Sequence, residues 1–236
     1  MSKYRIIDEI NDIDFVKLIV TYKDVDAKNR VDIEQICNET GFNIENLKSN
    51  IQIHSDIVNL VDESNIGMKE EGDALITNLK NVPLLVFTAD CVPIAFIDTK
   101  NKAIGVAHAG WKGTYEEISK KTIEAMIKEY KTNPKDIVCV IGPSIGPCCY
   151  EVSKELIDKF NMNFTKVSEE FCTIKEGRNM LDLWKINEYS IKKCGVNEEN
   201  IINLRLCTSC ENDKFHSYRL DNQTPKRIGM ILEIKE

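Results

Sequence analysis

The feature that most constrains this chain is a pair of apolar runs separated by a short polar turn. Residues 82–97 are almost wholly apolar, broken only by Thr88-Ala89-Asp90, and a second run occupies residues 103–107. Between them, Asp98-Thr99-Lys100-Asn101-Lys102 carries turn chemistry. Two buried-strand runs joined this way predict a β-hairpin. Further strands are expected at residues 14–22, 137–141, 201–206 and 227–234. Helical spacing of Val31, Ile33, Ile36 and Cys37 predicts a helix over 31–40 that stops at Gly41. A second helix is expected over 114–130, with Ile118, Thr122, Ala125, Met126 and Tyr130 on one face and Pro134 closing it. Ser153 and Asp182 are expected N-caps for helices reaching Phe160 and Cys194. Strands and helices mix without strict βαβ alternation, which gives an α+β class.

With 236 residues and no repeat, low-complexity tract or linker, the chain reads as one domain over 1–236. A net charge of −7 argues against a general nucleic-acid or anionic-membrane surface, though a local cationic pocket can still take a small anion. The N-terminus shows no secretory pattern, and no window approaches the roughly 18 apolar residues of a membrane span. Nine cysteines, an odd number scattered along the chain, are expected to be reduced thiols in a cytoplasmic protein.

The chemistry is carried by His54, Cys91 and His108, the last two close to the predicted hairpin. Two imidazoles and a thiolate suit zinc and leave a fourth position open for water or substrate. Read singly each is weak, because a lone histidine is usually a surface or hydrogen-bonded core residue and a strand cysteine a small apolar one. Their turn-forming and small neighbours favour the combination. Cys207-Thr208-Ser209-Cys210 has the spacing of half a zinc site, and Cys148-Cys149 offers the rest. Adjacent cysteines rarely direct both thiolates at one ion, so packed, inert thiols are expected there. The zinc-deaminase signature, a His-x-Glu followed by Pro-Cys-x-x-Cys, is absent. The Gly142-Pro143-Ser144-Ile145-Gly146-Pro147 loop is rigid and offers main-chain N–H groups to an anion. Arg219 is a candidate anion clamp, with an ordinary surface arginine as the plainer reading.

Several stretches then fall in order: Gln52-Ile53-His54, Gly72-Asp73-Ala74-Leu75, Thr88-Ala89-Asp90-Cys91, His108-Ala109-Gly110-Trp111-Lys112-Gly113, the 141–152 block, Leu181-Asp182-Leu183 and Ser217-Tyr218-Arg219. Together they resemble the bacterial laccase-domain, or multicopper-polyphenol-oxidase-like, family, whose members are also described as purine nucleoside phosphorylases. The resemblance covers about residues 14–234. It implies an α/β/β/α layered single domain resembling the cytotoxic-necrotizing-factor-like cysteine hydrolases. It also implies metal ligands at His54, Cys91 and His108, with zinc as cofactor and copper as the alternative. Phosphorolysis of adenosine, inosine and S-methyl-5′-thioadenosine, with some adenosine deamination, is the implied activity, in a monomer or small homo-oligomer. Two departures stand out: Leu220 follows Arg219 where many members carry a second arginine, and Thr224-Pro225-Lys226-Arg227 replaces the usual Thr-Gly-Arg.

On this reading Asp73, Asp90 and Cys91 are catalytic, with one of the two carboxylates as proton carrier or Asp90 as a partner orienting a histidine. Lys112 and Arg219 bind substrate. A copper phenol oxidase is the main rival, since His₂Cys also forms blue-copper centres. A multicopper cluster, however, needs more imidazoles than the 3 histidines present. A metal-free hydrolase using Cys91 as nucleophile and His108 as base is a third reading, and a metal-free binding protein the last.

Overall fold

The computed structural model describes residues 2–164 and 170–235. The predicted hairpin is its centre. Strands β6 (Val92–Asp98) and β7 (Ala103–Ala109) pair antiparallel, with Val92 opposite Ala109 and Asp98 opposite Ala103. The Asp98 carboxylate closes the turn by accepting the N–H groups of Lys100 and Asn101, both at 2.9 Å. Around this pair β8 (Ile137–Ile141) and β12 (Ile201–Asn203) extend one side, and β4 (Ala74–Thr77) and β3 (Val58–Leu60) the other. The β12/β8 and β3/β4 pairs are parallel and the rest antiparallel, so this six-stranded sheet is mixed. A second, antiparallel sheet runs β1 (Tyr4–Ile6), β2 (Val16–Thr21), β13 (Ile228–Ile234), β5 (Leu84–Thr88). A small third sheet joins β10 (Cys172–Lys175), β11 (Arg178–Leu181) and β9 (Glu151–Val152).

The central strands read as continuous apolar runs because both of their faces are buried. Alternation then assigns each residue to a layer. On β6, Val92, Ile94 and Phe96 face a core shared with helices, while Ala95 and Ile97 face the other sheet. On β7 the split is Ala103, Ala107 and Ala109 against Ile104 and Val106. From the four-stranded sheet, Leu18, Val20, Leu84, Val86, Met230 and Leu232 fill the space between the sheets. Ile19, Leu85 and Ile231 point away from it and pack under helix α1 (Arg30–Thr40), against Ile33, Ile36 and Cys37. The order of layers is therefore α/β/β/α. Phe96, fully buried at its centre, contributes about 1.5–3 kcal/mol by leaving water.

The helices begin and end largely where their capping residues predict. Asn29 accepts the N–H groups of Val31 and Asp32, and Gly41 ends α1 at φ +72°. The expected 114–130 helix is two: α2 (Trp111–Tyr115) and α3 (Ile118–Tyr130), broken where Glu117 turns left-handed at φ +57°. Asn187 explains the break, since its side chain bonds Thr114 of α2 and Ser119 of α3 at once. Helix α3 ends at Lys131, also left-handed, and Pro134 opens a separate 3₁₀ turn. Ser153 caps α4 (Lys154–Asn163), and Asp182 caps α5 (Leu183–Lys193). The strand expected over 201–206 stops at Asn203, because Asn203 Oδ1 accepts the N–H of Arg205, which turns left-handed at φ +52°. Among the described residues no helix is long and apolar enough to cross a membrane.

Candidate active site

The site forms at the end of the hairpin where β6 begins and β7 finishes. Cys91 sits one residue before β6, and His108 lies on β7 opposite Pro93. Asp90 adopts φ +82°, an unfavourable conformation for a non-glycine residue, and the sharp turn leaves the Cys91 side chain half-buried beside the sheet end. Gly110 immediately precedes helix α2 and lies against the Cys91 and His54 side chains. A Cβ there would stand 3.0 Å from Cys91 Sγ and 3.1 Å from His54 Cδ2, so any larger residue must push these side chains aside by a few tenths of an ångström.

His54 comes from a distant loop, and Asp73 brings it in. Asp73 precedes β4, which pairs with β7, and its carbonyl accepts the His108 N–H at 2.7 Å. Its carboxylate is fully buried. One oxygen accepts from His54 N (3.1 Å) and His108 Nδ1 (2.8 Å). The other accepts from Ile53 N (3.2 Å), Ser55 N (2.6 Å) and Ser55 Oγ (2.7 Å). His54 itself is held left-handed at φ +58°.

One donor atom from each of His54, Cys91 and His108 lies within 4.8 Å of the others, with His54 Nε2 3.9 Å from Cys91 Sγ. The two rings meet edge to face, 4.9 Å between centroids. This donor set fits a divalent metal. A tetrahedral zinc places N and S ligands roughly 3.5 Å apart, and the bond from His108 Nδ1 to Asp73 leaves Nε2 free as a ligand. Electrostatics agree. Burial pushes the Cys91 thiol up, but His108 and His54 beside it outweigh that and draw it down to about 6. Burial pulls His108 down, while Cys91 and then Asp73 lift it to about 9. Asp73 is raised by burial yet brought to about 2 by His108 and Ser55.

His54, Cys91 and His108 line a cavity of about 710 Å³. Phe87, Trp111, Tyr150 and Tyr218 give it aromatic walls, and Lys28, Arg219 and Arg227 give it positive charge. Asp90 also lines it, with both carboxylate oxygens engaged: Oδ1 accepts from Thr208 Oγ1 and Oδ2 from Arg219 N, each at 2.7 Å. Arg219 extends over the Tyr150 ring, its carbon 5.4 Å from the centroid, and donates to the Glu151 carbonyl at 3.1 Å.

Two of the expected residues lie outside the cavity lining. Asp73 is not among the lining residues, and both of its oxygens already accept hydrogen bonds. Lys112 is exposed on α2, with its ammonium 5.8 Å from the centre of the Trp111 ring, and does not line the cavity. The cations that do, besides Arg219, are Lys28 and Arg227. Arg227 sits in the stretch that departs from the usual Thr-Gly-Arg, so that departure still delivers an arginine to the cavity. Leu220 lines only a neighbouring hollow. Lys28 sits in a polar loop before α1, with no motif to mark it.

Two facing sheets covered by helices, with a His₂Cys set at the mouth of a cationic, aromatic cavity, define an α+β protein whose grouped side chains could hold a metal ion. The chain belongs to the family described as multi-copper polyphenol oxidoreductase laccase, whose model matches residues 13–234. It is 36% identical over 211 residues to the purine nucleoside phosphorylase LACC1 of Homo sapiens, covering 86% of this chain and 47% of that protein. Thus the chain spans about half the length of that relative. To the purine nucleoside phosphorylase CA_C1699 of Clostridium acetobutylicum it is 38% identical over 192 residues, 79% of this chain and 76% of that one. Among solved structures it resembles the hypothetical protein YfiH of Bacillus licheniformis, with a TM-score of 0.90 at 28% identity, covering 100% of this chain and 97% of that one. YlmD of Geobacillus stearothermophilus gives a TM-score of 0.87 at 27% identity, covering 95% and 93%.

Proposed function

We propose that this chain is a zinc-dependent purine nucleoside phosphorylase, a single domain over 1–236 acting on adenosine, inosine and S-methyl-5′-thioadenosine. One observation carries the reading: the His54–Cys91–His108 set opens onto a cavity of about 710 Å³, roomy enough for a nucleoside with phosphate, with aromatic walls and three cations among the described residues. Relatives named purine nucleoside phosphorylase support it. A neutral pair of imidazoles and one thiolate leave a zinc unit with one net positive charge, suited to an anionic ligand. The α/β/β/α layering supports kinship with the cytotoxic-necrotizing-factor-like folds, and the reduced thiols suit a cytoplasmic setting.

In phosphorolysis a phosphate oxygen bonds to C1′ of the ribose as the bond from C1′ to the purine nitrogen breaks. The bonding pair leaves with the base, which takes up the proton that the phosphate gives up as it becomes a ribose phosphate ester. Lys28, Arg219 and Arg227 hold the phosphate, the guanidinium groups being shaped for two oxygens at once. Phe87, Trp111, Tyr150 and Tyr218 flank the flat base and keep water from it. Asp73 is a positioning residue that fixes both histidines, and Asp90 is one that fixes the Arg219 backbone. A bound zinc supplies Lewis-acid charge and a water of lowered pKa. Adenosine deamination, in which water replaces the exocyclic amine of the base, belongs to the same cavity.

The test is product analysis on inosine and adenosine, with and without phosphate, before and after chelation. Phosphate-dependent release of hypoxanthine from inosine, lost on chelation and restored by zinc, is expected, with His108→Ala inactive. Release by His108→Ala at the wild-type rate, or release indifferent to phosphate, overturns the reading. Activity indifferent to chelation would instead favour Cys91 and His108 acting as a metal-free pair.

A further inference from the structure

Four thiols outside the cavity are left unused by this chemistry. The Sγ atoms of Cys148, Cys149, Cys207 and Cys210 all lie within 4.8 Å of one another. Cys210 Sγ is 3.4 Å from both Cys148 Sγ and Cys149 Sγ. Zinc with Zn–S bonds of about 2.3 Å sets four tetrahedral sulfurs roughly 3.8 Å apart, within the range these atoms span. A disulfide, by contrast, needs about 2.05 Å.

The backbone explains how neighbours in sequence converge. Consecutive side chains on an extended strand point to opposite faces, but Cys148 and Cys149 lie in a turn, where Gly146 O accepts the N–H groups of both Cys149 and Tyr150 at 3.0 Å. Cys207 and Cys210 sit on another turn, closed by the bond from Glu211 N to Cys207 O at 2.9 Å, which brings residues three apart to one side. The two loops are joined through Ser144, which donates to Leu206 O and accepts from Thr208 N, each at 3.1 Å. Cys207 Sγ also accepts the Gly146 N–H at 3.3 Å, a bond that favours a ligating sulfur. Four thiolates around a divalent ion carry two net negative charges. The hollow beside Cys148 and Cys149, about 280 Å³, is lined by Lys175, Arg178 and Arg219 against one carboxylate, Glu151, and Arg178 is paired with Glu176, so the balance of charge there is positive but modest.

We propose that Cys148, Cys149, Cys207 and Cys210 form a second, structural zinc site that clamps the 207–219 loop to the 142–150 loop. All four positions are filled by protein, so this site offers no place for substrate. On binding, the ion displaces one proton from each thiol that carries one. The clamp acts on the cavity wall through three residues: Thr208, which holds Asp90; Arg219, which lines both hollows; and Tyr150, next to Cys149 and under the Arg219 guanidinium.

The test uses the full chain, reduced, loaded with excess zinc and desalted, with metal counted by mass spectrometry. Cys148→Ser/Cys210→Ser is expected to lose about one zinc per chain relative to wild type. His54→Ala/His108→Ala is expected to keep that ion and, reloaded with cobalt, to show the strong charge-transfer absorption of a tetrathiolate. This arm is independent of the cavity chemistry, so failure here and failure of the phosphorylase reading are distinguishable. Wild-type protein supplies a check free of mutation: zinc should shield Cys148, Cys149 and Cys210 from alkylation, and a chelator should expose them. The proposal is overturned if folded Cys148→Ser/Cys210→Ser keeps the wild-type metal content, or if the cobalt signature is absent. Alkylation of those thiols indifferent to zinc also overturns it.

Discussion

Replacing Asp73 by asparagine tests the idea that one buried carboxylate builds the ligand set. The carboxylate accepts five hydrogen bonds, two on one oxygen and three on the other. An amide has the same shape but one acceptor. If its NH₂ takes the place of Oδ1, it confronts the N–H of His54 and the Nδ1–H of His108. His108 can answer only by switching tautomer, which puts a proton on the Nε2 needed for metal. If the NH₂ takes the place of Oδ2, it confronts the N–H groups of Ile53 and Ser55, while the Ser55 hydroxyl can turn to accept. Either way one or two of these donors, part-buried or buried, lose their partner, at about 1–3 kcal/mol each. Asp73→Asn should therefore unfold about 1–6 kcal/mol more easily in metal-free urea titrations. Zinc affinity, measured by competition with a chromogenic chelator, should fall about 10–100-fold. A variant within ~0.5 kcal/mol of wild type that binds zinc equally well would refute the reasoning.

Three further outcomes are expected. Asp90→Asn keeps an oxygen for the Arg219 N–H, and its NH₂ can donate to a turned Thr208 hydroxyl; kcat should stay within about tenfold, whereas a loss of about 10²–10⁴ would make Asp90 a proton carrier. In metal-free protein the Cys91 thiol is depressed to about 6, so its thiolate, and its alkylation rate followed by peptide mass spectrometry, should rise through that pH; a rise only near that of an ordinary thiol, about 8.5, would dissolve the Cys91–His108 pairing. Lys48 is 1% exposed, and its ammonium serves Asn65 O, Met68 O and Glu70. Lys48→Met should cost about 1–3 kcal/mol in urea unfolding, because the Asn65 and Met68 carbonyls lose their donor while the partly exposed Glu70 can turn to water; a change under ~0.5 kcal/mol would show the network to be dispensable.

Much of the architecture is legible because it rests on local signals. The hairpin announces itself through two apolar runs around an Asx turn, and α1 through its spacing and Gly41. Asp182 and Ser153 mark helix starts by side chains that cap within three residues. The strand expected over 201–206 is cut short by a local Asn203–Arg205 bond, but elsewhere a distant partner overrides a local preference. Helical periodicity runs unbroken through residues 114–130, yet Asn187, from another helix, bonds both sides of the kink at Glu117. Lys48 carries no mark of burial, because its three acceptors lie 17 to 22 residues further on.

For the site, the sequence by itself determined the chemistry: which imidazoles and thiols exist, and that Cys91 and His108 fall at one end of a hairpin. Hairpin pairing is local, so their proximity follows from spacing. Only the tertiary structure decided that His54 joins them, because the Asp73 carboxylate gathers the 53–55 loop and His108 across separate chain segments. It likewise chose Lys28 and Arg227 over Lys112 as cavity cations, and drew four scattered cysteines together. Convergence of side chains far apart in sequence is set by how the loops are pinned to the sheets, and no local pattern of residues encodes that.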